Sequence, residues 1–186
     1  MADTERVVVF IDGSNLYHCL KEEFGPTKFD FAKLVAYVVG SRHLVRVYYY
    51  NVVPHSSQSD ELIRKQQSFY NALRQLSYFE LRLGRLEPRG ETYVEKGVDV
   101  KLAVDMLKFA ANAIYDTAIL ISGDADLSDA MQAVKDLGKH VELAFCTTGC
   151  SRHIQQVCDR FILLDQSVLS QCALEFPSTQ SPRTLG

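Results

Sequence analysis

One alternation runs through the whole chain and limits what it can fold into. Short strand-like runs, several of them almost continuously apolar, occur at Arg6–Ile11, Leu44–Val53, Phe79–Leu86, Ala118–Ser122, Val141–Cys146 and Phe161–Leu164. Most are rich in Val, Ile, Tyr or Phe, the composition of strands buried on both faces. Between them lie runs of helical character: Leu16–Glu23, Phe31–Val39, Asp60–Leu76, Asp99–Ala113, Leu127–Leu137 and Ser151–Val157. Strands separated by helices must cross over, so neighbouring strands run parallel and helices cover both faces. The expected fold is α/β, a three-layer α/β/α sandwich around a mainly parallel central sheet. No internal repeat is visible.

Composition agrees with one folded domain. The chain has 186 residues, 47% of them hydrophobic, and a formal charge of −3. That balance supports an ordinary core. It gives no global basic signature, although the distribution of charge matters more for a nucleic-acid partner than its sum. The domain is expected over residues 1–165, followed by a largely disordered tail over 166–186, whose end reads PSTQSPRTLG. The segment RLEPRGETYVEKG reads as a polar loop with a turn at Pro88 and Gly90. Asp3 and Glu5 stand where a secretory leader would be basic, and no run approaches a membrane span. Five scattered cysteines point to reduced thiols in a cytoplasmic protein with no membrane partner. No CxxC pair exists, so Cys146, Cys150, His153 and Cys158 are not expected to hold zinc.

The chemistry lies in the acids. In an open α/β sheet, ligands bind beyond the carboxyl ends of the strands. Asp12 ends the first apolar run, and Asp124 and Asp126 follow Ser122 after the fourth. Each acid alone could be a helix cap. The helix from Asp99 adds to them. At 100° per residue, Asp99 falls within the apolar face of Leu102, Ala103, Met106 and Ala110. Lys101, Asp105, Lys108 and Asn112 fall on another stripe, expected to be solvated, with Asp105 in a surface ion pair. An inward carboxylate is costly unless something compensates it. Two carboxylates about 5 Å apart repel by about 3 kcal/mol at an effective dielectric near 20. Converging acids therefore call for a cation, and hard oxygen donors select Mg²⁺ or Mn²⁺. Such an ion can position a water, lower its pKa and stabilise charge on a phosphoryl oxygen. Neutralising Asp12, Asp99, Asp124 and Asp126 takes the formal charge from −3 to about +1, which suits an anionic substrate.

The segments FIDGSNLY, EKGVDVKLAVDM and LISGDADLSDAMQAVKDLGKHVELAF, followed by SRHIQQVCDRFILL, resemble in order and spacing an NYN domain. That family lies in the PIN-like nuclease superfamily and includes a LabA-like branch. The resemblance covers roughly Arg6 to Leu164. It implies a PIN-like, Rossmann-like sandwich and Mg²⁺- or Mn²⁺-dependent ribonuclease chemistry. It also implies that Asp12, Asp99, Asp124 and Asp126 are metal-binding acids and that Asn15 is the adjacent polar residue of the catalytic set. Ser14 and Ser122 would support the site by hydrogen bonding. Many PIN domains carry a further acid on an early helix; Glu22, Glu23 and Asp30 are candidates that no spacing singles out.

The expected function is a metal-dependent endoribonuclease acting on single-stranded RNA. In it, Asp12, Asp99 and Asp124 hold the ion and Asp126 completes the donor set or acts as base. Lys96 and Arg152 are candidate phosphate contacts. Tyr17 and His18 follow the first motif and can stack on a base, with Tyr17 expected in the core and His18 on the surface. Three alternatives stand beside this reading: an RNA-binding regulator with a weak or inactive site, a phosphatase for small phosphate esters, and a partner-binding module whose acids are only helix caps. A homodimer is left open.

Overall fold

The computed structural model describes residues 4–25, 28–53, 59–89 and 92–174. Its elements are β1 (Arg6–Asp12), α1 (Gly13–Phe24), α2 (Phe31–Val39), β2 (His43–Val52), α3 (Asp60–Arg74), β3 (Phe79–Arg89), β4 (Thr92–Lys96), α4 (Val98–Ala111), β5 (Thr117–Ile121), a single 3₁₀ turn (Ala125–Leu127), α5 (Ser128–Asp136), β6 (His140–Phe145), α6 (Arg152–Val157), β7 (Arg160–Leu163) and α7 (Gln166–Cys172).

The strands form one sheet in the order β4-β3-β2-β1-β5-β6-β7. Six of them run parallel, and β4 alone pairs antiparallel, with β3. The expected α/β sandwich is therefore the observed architecture. β1 lies between β2 and β5, and Val7 to Ile11 have no exposed surface. Its side chains alternate between two cores. Val7, Val9 and Ile11 pack with α1, α2, α3 and α7 on one face. Val8 and Phe10 pack with α4, α5 and α6 on the other. This is why the strand reads as continuously apolar. The chain moves from β1 outward through β2 and β3, then crosses over α4 to β5 on the opposite side of β1. The β1/β5 boundary is thus the topological switch point, where open sheets leave a crevice.

Three expectations change. The segment expected as a polar loop is a hairpin. β3 continues past the end of β2, whose Val52 pairs with Gly84, and residues 85–89 pair with β4. Thr92, Tyr93 and Val94 are strand-forming residues, and Pro88 is tolerated where no third strand lies alongside. The packed chain also continues beyond residue 165. Asp165 caps α7 through Val168 N–H (2.9 Å), and Val168, Leu169 and Cys172 are buried. An apolar stripe over seven residues is too short to announce itself by periodicity. The rest of the expected tail, 175–186, lies outside the described residues. Finally, Cys19 and Cys146 are not reduced thiols but a disulfide, tying α1 to the residue after β6 across 127 positions of sequence. Among the described residues, no helix is long and apolar enough to cross a membrane.

Candidate metal centre at the switch point

Asp12 is the last residue of β1 and the N-cap of α1. Its Oδ1 accepts the N–H of Asn15 (3.0 Å) and its Oδ2 accepts the hydroxyl of Ser122 (3.0 Å). Only 4% of the residue is exposed. Capping and ligation are not alternatives here, because each carboxylate oxygen keeps a second lone pair.

The far wall comes from the turn after β5. Ser122 Oγ accepts the N–H of Asp124 (3.2 Å) while donating to Asp12. One hydroxyl thus fixes two acids. Asn15 Oδ1 accepts the N–H of Gly123 (2.7 Å) and clamps α1 to the same turn. Asp124 in turn caps the 3₁₀ turn through Asp126 N–H (3.0 Å). Two glycines make the approach possible. A Cβ on Gly13 would lie 2.3 Å from the Tyr49 ring, and one on Gly123 would lie 2.4 Å from Gly149 O. Neither leaves room for a side chain.

Asp99 arrives from the opposite face, in the first turn of α4. Its helical phase is as expected, but α4 begins at the sheet edge, so the residue hangs over the crevice and remains exposed. Carboxylate oxygens of Asp12, Asp99 and Asp124 lie within 4.8 Å of one another. Metal–oxygen bonds of about 2.1 Å place opposite ligands about 4.2 Å apart, close to this spacing. Among the described residues this is the one such group of acids, cysteines or histidines.

The electrostatics follow. Burial pushes the Asp12 carboxyl up to about 6, and the charges of Asp99 and Asp124 add to that. The Asn15 and Ser122 hydrogen bonds oppose the rise. Asp99 is also raised, first by partial loss of water at the crevice and then by Asp124 and Asp126. The strongest charges acting on these acids are other carboxylates.

Asp126 is exposed and outside the three-acid group, yet close enough to act on Asp99. Ser14 is half-buried in the first turn of α1. Arg152 is exposed at the rim, next to Ser151, whose N–H donates to Gly123 O (3.1 Å). Lys96 ends β4 opposite Arg85, and its side chain lies outside what is described. Glu22 and Glu23 sit at the exposed far end of α1, and Asp30 caps α2. None joins the three-acid group.

Three placements are corrected. Asp105 is not on a solvated stripe. It is 8% exposed, accepts the Tyr50 hydroxyl (3.0 Å) and lies 3.9 Å from Arg82 Nε. Lys101 likewise donates to Leu83 O (3.2 Å). α4 lies across β1, β2 and β3, so its covered arc is wider than one apolar stripe. Tyr17 is not core but 58% exposed, edge-on to the exposed His18. The hydrogen bonds of Ser122 and Asn15 had no signal in the residue pattern itself; only the resemblance named these positions.

A family model for the NYN domain matches residues 6–165. The curated protein "Low amplitude and bright protein LabA" of Synechococcus elongatus is 24% identical over 168 residues, covering 86% of this chain and 84% of LabA. The crystal structure of a protein of unknown function, VPA0982 of Vibrio parahaemolyticus, superposes with a TM-score of 0.75 at 22% identity. It covers 94% of this chain and 99% of that one. The structural likeness shows the fold, across almost the full length of both chains.

Proposed function

Because the chain belongs to the NYN domain family, whose members are nuclease-like and RNA-associated, we propose that it is a metal-dependent endoribonuclease acting on single-stranded RNA. One observation carries the reading: the carboxylates of Asp12, Asp99 and Asp124 converge at the switch point of the sheet. An all-oxygen donor set at this spacing, with acids already pushed toward protonation, fits Mg²⁺ or Mn²⁺. When bound, such an ion supplies charge stabilisation at a phosphoryl oxygen and a more acidic water.

The chain's own residues do the rest. Asp12 is held by two donors, so it is oriented before any ligand arrives. Asn15 serves as a positioning residue, because its side-chain oxygen is committed to Gly123. Ser122 couples Asp12 to Asp124. Asp126, exposed beside Asp99, is the carboxylate available to take the proton of the attacking water. Arg152 at the rim offers a cation to a neighbouring phosphate.

The test uses labelled single-stranded RNA with Mg²⁺, Mn²⁺ or EDTA. Cleavage should stop in EDTA and fall roughly a thousandfold in Asp12→Asn, the scale of losing a group that acts on transition-state charge. Cleavage that survives either treatment sinks the proposal. Release of phosphate from small esters, with RNA intact, would indicate a phosphatase instead. A second reading, an RNA-binding regulator, draws on one feature: among the described residues the ligand group stops at three acids, with none from α2 or the far end of α1. RNA binding without cleavage would favour it.

A further inference from the structure

Between β3 and α4, the helix that carries Asp99, lies a groove of about 630 Å³ that the catalytic reading does not use. Its walls are Leu83, Gly84 and Arg85 on β3 and Gly97, Val100, Lys101 and Val104 on and before α4. Val100 and Val104 are 68% and 53% exposed, one turn apart on the helix that carries Asp99. Folding gains little from leaving two valines in water on one stripe. Two cations frame them. Arg85, its side chain 78% exposed, pairs among the described residues with the half-buried carboxylate of Glu87 (2.9 Å), an exposed pair that costs little to break. The Lys101 ammonium sits on the groove floor at Leu83 O.

Apolar walls between two cations suit one chemistry: a nucleobase with its flanking phosphate. Gly97 and Val100, on the groove wall, flank Asp99 in the chain, so one strand can reach both places. We propose that this groove holds an unpaired nucleotide of single-stranded RNA next to the phosphate at the metal centre. The base lies on Val100 and Val104, and Arg85 faces the phosphate. A base can enter only if it is unstacked, so the groove selects single strands over duplex. The inference rests on the RNA reading above and adds where the strand runs.

Two variants have different signatures. Anisotropy of a labelled ten-nucleotide RNA, with Ca²⁺ in place of the cleaving metal, is measured at several salt concentrations. Arg85→Ala should weaken binding about tenfold and lower the slope of log affinity against log salt by about 0.7, the share of one single-strand phosphate contact. Val100→Ser should weaken binding several-fold with no change of slope. Duplex binding should not respond to either, and calorimetric metal affinity should stay at the wild-type value. Unchanged single-strand affinity in both variants, while the wild type still cuts RNA, overturns the groove and leaves the nuclease reading standing. A wild type that neither binds nor cuts RNA overturns both.

Discussion

Asp12 and Asp105 are buried to nearly the same degree, 4% and 8% exposed, and they sit in opposite circumstances. Around Asp105 the compensation is built in. The Tyr50 hydroxyl donates to it, and Arg82 stands 3.9 Å away, itself over the Tyr48 ring at 5.3 Å. Burial, with Asp105 adding to it, raises Tyr50 out of the titratable range, so the hydroxyl remains a donor. Around Asp12 the strongest nearby charges are Asp99 and Asp124, which make its ionisation harder. A buried carboxylate with partners is a structural element; one facing other carboxylates needs a cation supplied from outside. That difference separates a fold residue from a site residue in this molecule.

Substitution should break the two places in opposite directions. The largest effect is expected at Asp105→Ala, which strands the Tyr50 hydroxyl and removes the acid facing Arg82. Denaturant unfolding should show a loss of about 3 kcal/mol. A loss below about 1 kcal/mol would mean that the pair is not a structural anchor.

Next comes the divalent cation. At a concentration a hundred times its dissociation constant, Mn²⁺ should stabilise the wild type by about 2.7 kcal/mol. The gain should shrink as pH falls below about 6, where Asp12 holds its proton and competes with the ion. Thermal unfolding at pH 5 and pH 8, with and without Mn²⁺, measures both. A gain that is equal at the two pH values contradicts the assignment of Asp12 as a ligand.

The smallest effect runs against intuition. In the metal-free fold Asp12 holds its proton to about pH 6, against an ordinary value of 3.8. The folded state therefore binds more protons than the unfolded state between those values. Stability from this group is highest below pH 4 and is lost as pH rises through 6, by about 3 kcal/mol in all. Asp12→Asn removes that cost, which is already net of the two hydrogen bonds to the carboxylate. Its metal-free form should be about 2 kcal/mol more stable than the wild type at pH 8, with no difference at pH 4. Destabilisation at pH 8 would show that the hydrogen bonds outweigh the loss of water and the smaller repulsion by Asp99 and Asp124.

The same comparison shows what sequence could and could not carry. β1 was legible because both its faces are buried, so its apolar run has no gaps. Asp12, Asp99, Asp124 and Asp126 were legible as strand-end and helix-start acids, and three of them meet. Asp105 was misplaced because a single apolar stripe does not reveal that α4 crosses three strands. The β3–β4 hairpin was hidden because its residues read as a mostly polar turn segment. The Cys19–Cys146 bond had no local sign at all, since its partners are 127 residues apart. Patterns of period two and near four report burial by one neighbour; contacts made by a third element leave no period to read.

The central claim is that the three converging acids share a cation. Calorimetric titration of Mn²⁺ into the wild type, Asp12→Asn and Asp99→Asn tests it most directly. The account predicts one ion per wild-type chain and at least a tenfold loss of affinity, about 1.4 kcal/mol, in each variant. A wild type that takes up no ion, or variants that bind it as tightly as the wild type, would contradict it.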